Sequence, residues 1–480
     1  MKISELFNLN KTQFELDFVD IDTQKDTPLF LDPYYISKCD FPFAVAAYES
    51  IRTYFEFLLA LLRGNKVALA EELFSHLGET NDICLGMSKG NPNGHGMGPE
   101  DTKEIFDHLY GSRAMLTGIM EDIEDFRIFV PNVDKDKVSD MTANIIKKHL
   151  LEYTIEQCEL HEIPLMENVP SGMYWDCKRK VWENQYTRRL VIDNRPILLV
   201  PKRIVSFADK YTPTEYRQHF VLNYLQNEHL KLQTSLVKSR KDNSKYVTKK
   251  SIMESEAEMD KEFLARFTLE HPEVFNDFKT DTKKKIKSVD GDVLEIINTK
   301  DICDHLINKL QSIKPGTHTA TDYHNIIIGI LELLLYPNIT APKKEYPIHE
   351  GRKRIDITYN NSAESGFFYS LTNKVPVLTC PYIFVECKNY AGSVANPELD
   401  QLSGRFSPRR GRVGILACRT LDTKDGFIDR CADTYHDDRG LILPICDEDL
   451  ILALSKYPDL KNEALEDILS ERFERIVFNK

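Results

Sequence analysis

Ten residues, Pro381-Tyr382-Ile383-Phe384-Val385-Glu386-Cys387-Lys388-Asn389-Tyr390, constrain this chain more than any other stretch. Tyr382 to Val385 are aromatic or β-branched, the composition of a buried strand. Side chains alternate faces along a strand, so Glu386 and Lys388 project to one side and Cys387 to the other. A carboxylate and an ammonium beside an apolar run are costly to bury unless a partner or a metal compensates them. The end of this strand is therefore expected to open into a site.

A second acid makes that expectation specific. In Arg352-Lys353-Arg354-Ile355-Asp356-Ile357-Thr358-Tyr359, apolar residues alternate with polar ones, so the segment reads as a strand with Asp356 on its polar face. If the two strands neighbour each other in an antiparallel hairpin, Asp356 and Glu386 meet across them. Two hard carboxylates at one point suit Mg²⁺. A lysine beside that ion can position or help deprotonate an attacking water, while the ion stabilises charge on a phosphoryl oxygen.

At these residues the sequence resembles the PD-(D/E)xK nuclease superfamily, the restriction-endonuclease-like fold. Asp356 matches its first acid, and Glu386 and Lys388 match its E-x-K tripeptide. The resemblance spans roughly residues 320–450 and implies a helix, a three-strand meander, a helix and a further strand. His324–Tyr336 reads as the first helix, 344–359 as the first strands, 382–389 as the central strand, Pro397–Phe406 as the next helix with Asn396 as its cap, and Val413–Cys418 as the following strand. It implies Mg²⁺, with Mn²⁺ as a substitute, held by Asp356, Glu386 and the Cys387 carbonyl, with Glu332 as an acid from the first helix. Lys388 orients or activates the water. Gln401 and Arg405, four apart on the next helix, share a face; some branches of the superfamily carry an aromatic where Arg405 stands. Isoleucine precedes Asp356 in place of proline. The insertion between the acids is long, and Asn360-Asn361-Ser362 with Gly366 reads as a loop or extra hairpin.

The formal net charge is −13, so any nucleic-acid surface must be local. Residues 340–420 carry 12 Lys and Arg against 7 Asp and Glu, which concentrates positive charge around the proposed site. Arg409, Arg410 and Arg412, in the loop before Val413, are candidates for a phosphate clamp, against the plainer reading of a solvated loop. The 10 cysteines are scattered without C-x-x-C or zinc spacing and read as free thiols of a reducing compartment. No apolar run reaches the length of a membrane span. A cytoplasmic protein with no membrane partner is expected.

Ahead of residue 235 the chain reads as one mixed domain. Phe14–Asp22 alternates apolar and acidic residues, a half-exposed strand; its acids, with Asp32, read more simply as a solvent face than as a metal cluster. Ala44–Arg63, Val67–Leu77, Glu100–Leu109 and Arg113–Glu124 read as helices, and Ile128–Val130 as a short strand. A helix capped by Ser139 or Asp140 runs to about Tyr153. Tyr174–Trp182 and Pro196–Arg203 look like β segments. Gly86–Pro99 is glycine-rich and contains Lys89, but it lacks the G-K-[ST] end of a Walker loop; it reads as a connection between helices, with a phosphate or ligand loop as the alternative. Residues 238–260 form a basic run followed by an acidic one, a charged linker or exposed helix, with a nucleic-acid clamp as the alternative for the basic run. Lys261–Phe278 and Ile302–Ile313 read as helices.

The expectation is an α/β protein, α+β overall. A mixed, largely helical N-terminal domain (1–235) precedes a charged linker and helical connector (236–300) and a restriction-endonuclease-like mixed sheet flanked by helices (301–480). The resemblance implies a Mg²⁺-dependent endonuclease acting on DNA, in the layout of bacterial defence and restriction effectors. In those the N-terminal domain senses, oligomerises, or binds a partner defence protein. The alternatives are an RNA-directed nuclease and an inactive nucleic-acid-binding sensor.

Overall fold

The computed structural model describes residues 1–39, 41–78, 80–86, 98–112, 119–206, 211–256, 258–285, 298–348, 353–374, 378–392, 394–421 and 424–478. Most of the glycine-rich stretch (87–97) and the first part of the expected 113–124 helix (113–118) lie outside the described residues.

Two hydrophobic cores organise the chain. The first gathers apolar side chains from Ile3 to Phe278, with Ala341. Its longest helix, Pro42–Arg63 (α1), buries Ala44, Ala47, Ile51, Tyr54, Phe55, Leu58 and Leu62, the three-and-four spacing of one helical face. Lys135–Ile145 (α2) is capped by Asp134, whose carboxylate accepts the Lys137 N–H at 3.1 Å. Ser139 and Asp140, the expected caps, therefore lie inside the helix. The Ser139 hydroxyl instead accepts the Leu31 N–H at 3.0 Å. Lys147–Leu160 (α3) follows at once. Met166–Pro170 (β1), Tyr186–Ile192 (β2) and Arg195–Ile197 (β3) form a small antiparallel sheet.

Three local expectations fail here, the first because burial overrides alternation. Phe14–Asp22 is a 3₁₀ turn (Gln13–Glu15) followed by buried irregular chain. Glu15, Asp17 and Asp20 turn inward, and Asp20 accepts the Ser4 N–H and hydroxyl at 2.9 and 2.6 Å, while Asp22 stays partly exposed beside the Met1 ammonium. Ile128–Val130 is no strand, since Phe126–Phe129 is a helical turn. Of 119–124, only Ile123 and Glu124 belong to a helical turn, the 3₁₀ turn Ile123–Asp125.

The expected linker contributes to the first core. Leu222–Leu232 (α4) leads to an exposed hairpin of Lys238–Ser239 (β4) and Lys245–Tyr246 (β5). Lys261–Glu270 (α5) and Pro272–Lys285 (α6) then bury Phe263, Phe267, Phe275 and Phe278. Those aromatics recur at helical spacing after the charged run 238–260 that suggested a linker.

The second core holds Ile302 to Ile476, with Phe14 and Leu160. Its helices Thr299–Ser312 (α7) and Ala320–Leu335 (α8) lead into a five-stranded mixed sheet. The strands are Ile339–Ile348 (β6), Lys353–Asn361 (β7), Tyr382–Lys388 (β8), Val413–Cys418 (β9) and Leu441–Cys446 (β10), ordered as numbered. β6, β7 and β8 form an antiparallel meander; β9 and β10 add parallel to β8 through Asn396–Ser403 (α10) and Lys424–His436 (α11). The mixed sheet flanked by helices is the anticipated fold class. The insertion between β7 and β8 is a helix, Gly366–Lys374 (α9), rather than a loop or hairpin. Asp447–Leu460 (α12) and Glu463–Phe478 (α13) cover the far edge, where every β10 residue is buried.

A polar seam joins the cores. Asp17 accepts the Ala341 N–H of β6 at 2.9 Å and the Tyr153 hydroxyl at 2.6 Å. Gln157 donates to the Pro342 carbonyl at 3.2 Å, Lys343 pairs with Glu156, and Arg203 reaches Glu364 at 2.6 Å. Burial pushes the Asp17 carboxyl above its usual range, opposed by the two bonds it accepts. Asp17→Ala orphans two buried donors at about 1–3 kcal/mol each. It is expected to lower the urea midpoint clearly, whereas the surface change Glu49→Ala stays within about 0.5 kcal/mol; equal midpoints for the two variants would contradict the seam's importance.

Candidate active site at the end of the central strand

The site is built by strand register. β7 and β8 pair antiparallel through Ile357 and Val385, and Asp356 and Glu386 each lie one residue beyond that pair. Cross-strand neighbours share a face, so the two acids come together. Asp356 Oδ2 accepts the Cys387 N–H at 3.1 Å, which ties the first acid to the second strand.

Glu386 is fully buried and meets two cations. Lys388 Nζ donates to its Oε1 at 2.8 Å, and the Arg405 guanidinium pairs with Oε2. Lys388 Nζ also donates to Gln401 Oε1 at 3.1 Å, so the ammonium is held between strand and helix. Gln401 and Arg405, read as a shared face of α10, both reach this cluster; Arg405 lies just past the helix end at Ser403. Burial lowers the Arg405 pKa, and the Asp356 charge opposes that shift. Asp356 and Lys388 keep 21% and 11% of their side chains exposed, so solvent reaches the cluster from their side.

One residue was not read from the sequence. His324, in the second turn of α8, places Nε2 3.9 Å from Asp356 Oδ2 and bonds to the Cys387 backbone. Burial lowers its pKa; the Asp356 charge and the Cys387 bond act the other way. The signal was positional, since the start of α8 faces the C-terminal end of β8. Asn389 fixes that contact: its side-chain amide donates to the carbonyls of Lys314 and Gly316 and to the Thr319 hydroxyl, at 3.2, 2.9 and 3.0 Å.

Other expected residues lie elsewhere. Glu332 is eight residues along α8 from His324, about 12 Å at the helical rise. It faces the seam, 4.0 Å from Lys202 Nζ, and burial, reinforced by Asp17, pushes its carboxyl well above the usual range. A helix cannot turn both positions to one point, so Glu332 is not part of the cluster. The arginine loop sits at the opposite end of β8, where the Arg412 N–H donates to Thr379 and Arg412 pairs with Asp438 at 3.0 Å. Arg410 donates to the Arg405 carbonyl at 3.3 Å, and Arg409 is exposed. The Cys387 thiol points away from the acids, and burial raises its pKa well above normal. Among the described residues, no three His, Cys, Asp or Glu side chains gather closely enough to hold a metal. No helix among them is long and apolar enough to cross a membrane.

Residues 8–212 match a family described as a domain of unknown function, DUF8370. The match covers part of the first core and none of the sheet that carries Asp356 and Glu386. No curated protein and no solved structure matches the chain.

Asn389→Ala removes three hydrogen bonds between the end of β8 and the entry to α8. It is expected to cost about 1–3 kcal/mol and to speed amide exchange in residues 313–320, with β9 unaffected. Unchanged exchange at 313–320 would show that Asn389 does not hold α8 against the site.

Proposed function

We propose that the protein is a Mg²⁺-dependent nuclease that hydrolyses phosphodiester bonds in DNA, with Asp356, Glu386 and Lys388 as its centre. The observation that carries this reading is the convergence of two acids from adjacent strands with a lysine pinned by Gln401.

The donor chemistry fits the ion. Asp356, Glu386 and the Cys387 carbonyl are hard oxygen donors of the kind Mg²⁺ takes. Glu386 needs compensating positive charge wherever it is buried, and Arg405 supplies it in this conformation. An ion at Glu386 would take over that role and free the guanidinium. When bound, Mg²⁺ supplies charge stabilisation to the phosphoryl oxygens and lowers the pKa of water.

The chain's own groups do the rest. Lys388, oriented by Glu386 and Gln401, is a hydrogen-bond donor that orients the attacking water. His324 supports Asp356 from α8 and screens one side of it. Released from Glu386, Arg405 is placed to meet a phosphate oxygen.

One observation favours a second reading, a nuclease-like domain that binds nucleic acid without cutting. Both Glu386 oxygens are occupied by cations, as a purely structural ion pair requires.

Plasmid, linear duplex and RNA incubated with Mg²⁺, Mn²⁺ or EDTA separate these readings. The nuclease reading expects DNA cutting with either ion and none with EDTA. Asp356→Ala and Lys388→Ala should each cut at least about a hundredfold more slowly, the scale of losing one electrostatic contact to the transition state, while circular dichroism stays unchanged. Undiminished cutting by these variants would reject the assigned centre. A wild type that binds DNA but cuts nothing with either ion would establish the second reading, and preferential cutting of RNA would reassign the substrate.

A further inference from the structure

The hairpin formed by β4 and β5 concentrates positive charge on an acidic protein. Residues 238–250 hold six Lys and Arg against one acid, Asp242, while the chain as a whole carries −13. The hairpin projects from the first core. Its base is fastened by the Gln226 side-chain amide on the Val247 carbonyl and by Lys249 on the Gln218 carbonyl. Residues 238–245 are all exposed.

The tip is built to present cations. The turn closes through the Asn243 N–H on the Arg240 carbonyl at 3.0 Å and the Arg240 N–H on the Ser244 carbonyl at 2.8 Å. Asp242 is consumed in that turn, where it accepts the Ser244 N–H and hydroxyl at 3.0 and 2.7 Å. Among the described residues, neither Lys238 nor Lys241 has a carboxylate partner. The strands pair Lys238 with Tyr246, and the Arg240 guanidinium lies 5.1 Å from the Tyr246 ring centre. Strand alternation puts Lys238, Arg240 and Tyr246 on one face, so two cations flank an aromatic ring there.

We propose that this hairpin is a contact arm for duplex DNA, with Lys238, Arg240 and Lys241 on the phosphate backbone. The identity of the polyanion rests on the nuclease reading; the charge geometry of the arm does not. A two-stranded ribbon is narrow enough for a major groove about 12 Å wide. Ser239, Asn243 and Ser244 add hydrogen-bonding groups among the cations, and residues 239–245 hold no apolar side chain to insert into a lipid surface.

The test measures binding by the full chain to a fluorescent duplex in EDTA, where cutting cannot interfere, across a salt series. Each phosphate contact contributes about 0.9 to the slope of log affinity against log salt. The variant Lys238→Glu/Arg240→Glu/Lys241→Glu is expected to weaken binding at least about tenfold and to lower the slope by about 2–3. The neutral variant Lys238→Gln/Arg240→Gln/Lys241→Gln should lower the slope similarly. A control with equal charge change elsewhere, Arg63→Glu/Lys66→Glu/Lys178→Glu, should leave the slope in place. An unchanged slope in the hairpin variants, or an equal loss in the control, overturns the proposal. So does a hairpin effect seen with phosphatidylserine vesicles and not with duplex. If the duplex is bound through the hairpin but never cut with Mg²⁺, the nuclease reading fails and the arm stands; if it is cut while the slope is unmoved, the arm fails and the nuclease stands.

Discussion

A carboxylate with no access to water governs the architecture around Glu386. Moving such a charge out of water costs several kcal/mol even after relaxation, so positive charge must come to it. The fold brings that charge from two directions. Lys388 lies two residues along the same strand and on the same face, and Arg405 arrives from beyond the end of α10. Gln401 then takes a second bond from Lys388, which fixes the ammonium in direction as well as in place. On the proposed nuclease reading, a divalent cation would answer the same demand in place of the guanidinium.

The first core bears on this arrangement through the sheet edge. β6 is an edge strand, and its free side would invite pairing with another chain. α3 and the Asp17 carboxylate cover it. β6 in turn pairs along β7, which carries Asp356, so the seam lies one strand away from the first acid. The stretch that matches DUF8370 ends at residue 212, yet the core it belongs to does not close there. Tyr211 stacks on Phe278 with centroids 5.0 Å apart, and Tyr216, Phe263 and Phe275 fill the same interior. The helices after residue 212 are thus part of that packing unit, despite a composition that reads as a connector.

Legibility in the sequence followed the strength of the periodic signal. The central strand, the Val413 and Leu441 strands and the Ala44–Arg63 helix were readable because their apolar runs are long and their surroundings impose nothing different. Alternation put Asp356 on the polar face of its strand, but the register that brings it opposite Glu386 was not readable, because the helix-bearing insertion between β7 and β8 replaces the short turn that would set it. Phe14–Asp22 misled because an acid in an alternating run normally faces water. Asp17 and Asp20 face inward instead, toward partners more than 130 and 15 residues away that no local pattern reveals. Gln401 and Arg405 share a face by spacing, but their convergence on Lys388 and Glu386 depends on how α10 crosses back to β9. The arginine loop had the right chemistry at the wrong end of a strand, because composition has no direction.

α8 shows why the helical acid was read at one position and a histidine found at another. An apolar helix that packs between two cores has a polar residue wherever it emerges from apolar surroundings, and this one emerges twice. His324 lies where the helix meets the end of β8, and Glu332 where it meets Lys202 and the Asp17 seam. Both belong to one hydrogen-bonded rod of 16 residues, with the side chains between them almost all buried. A close-packed rod cannot stretch to absorb movement at one end. Any shift of the first core that carried Glu332 would therefore carry His324 relative to Asp356, which rests on a different element of the sheet. The position of the first acid's neighbour is thus set partly by packing about 12 Å away, in a part of the chain that supplies none of the charged groups at the site itself.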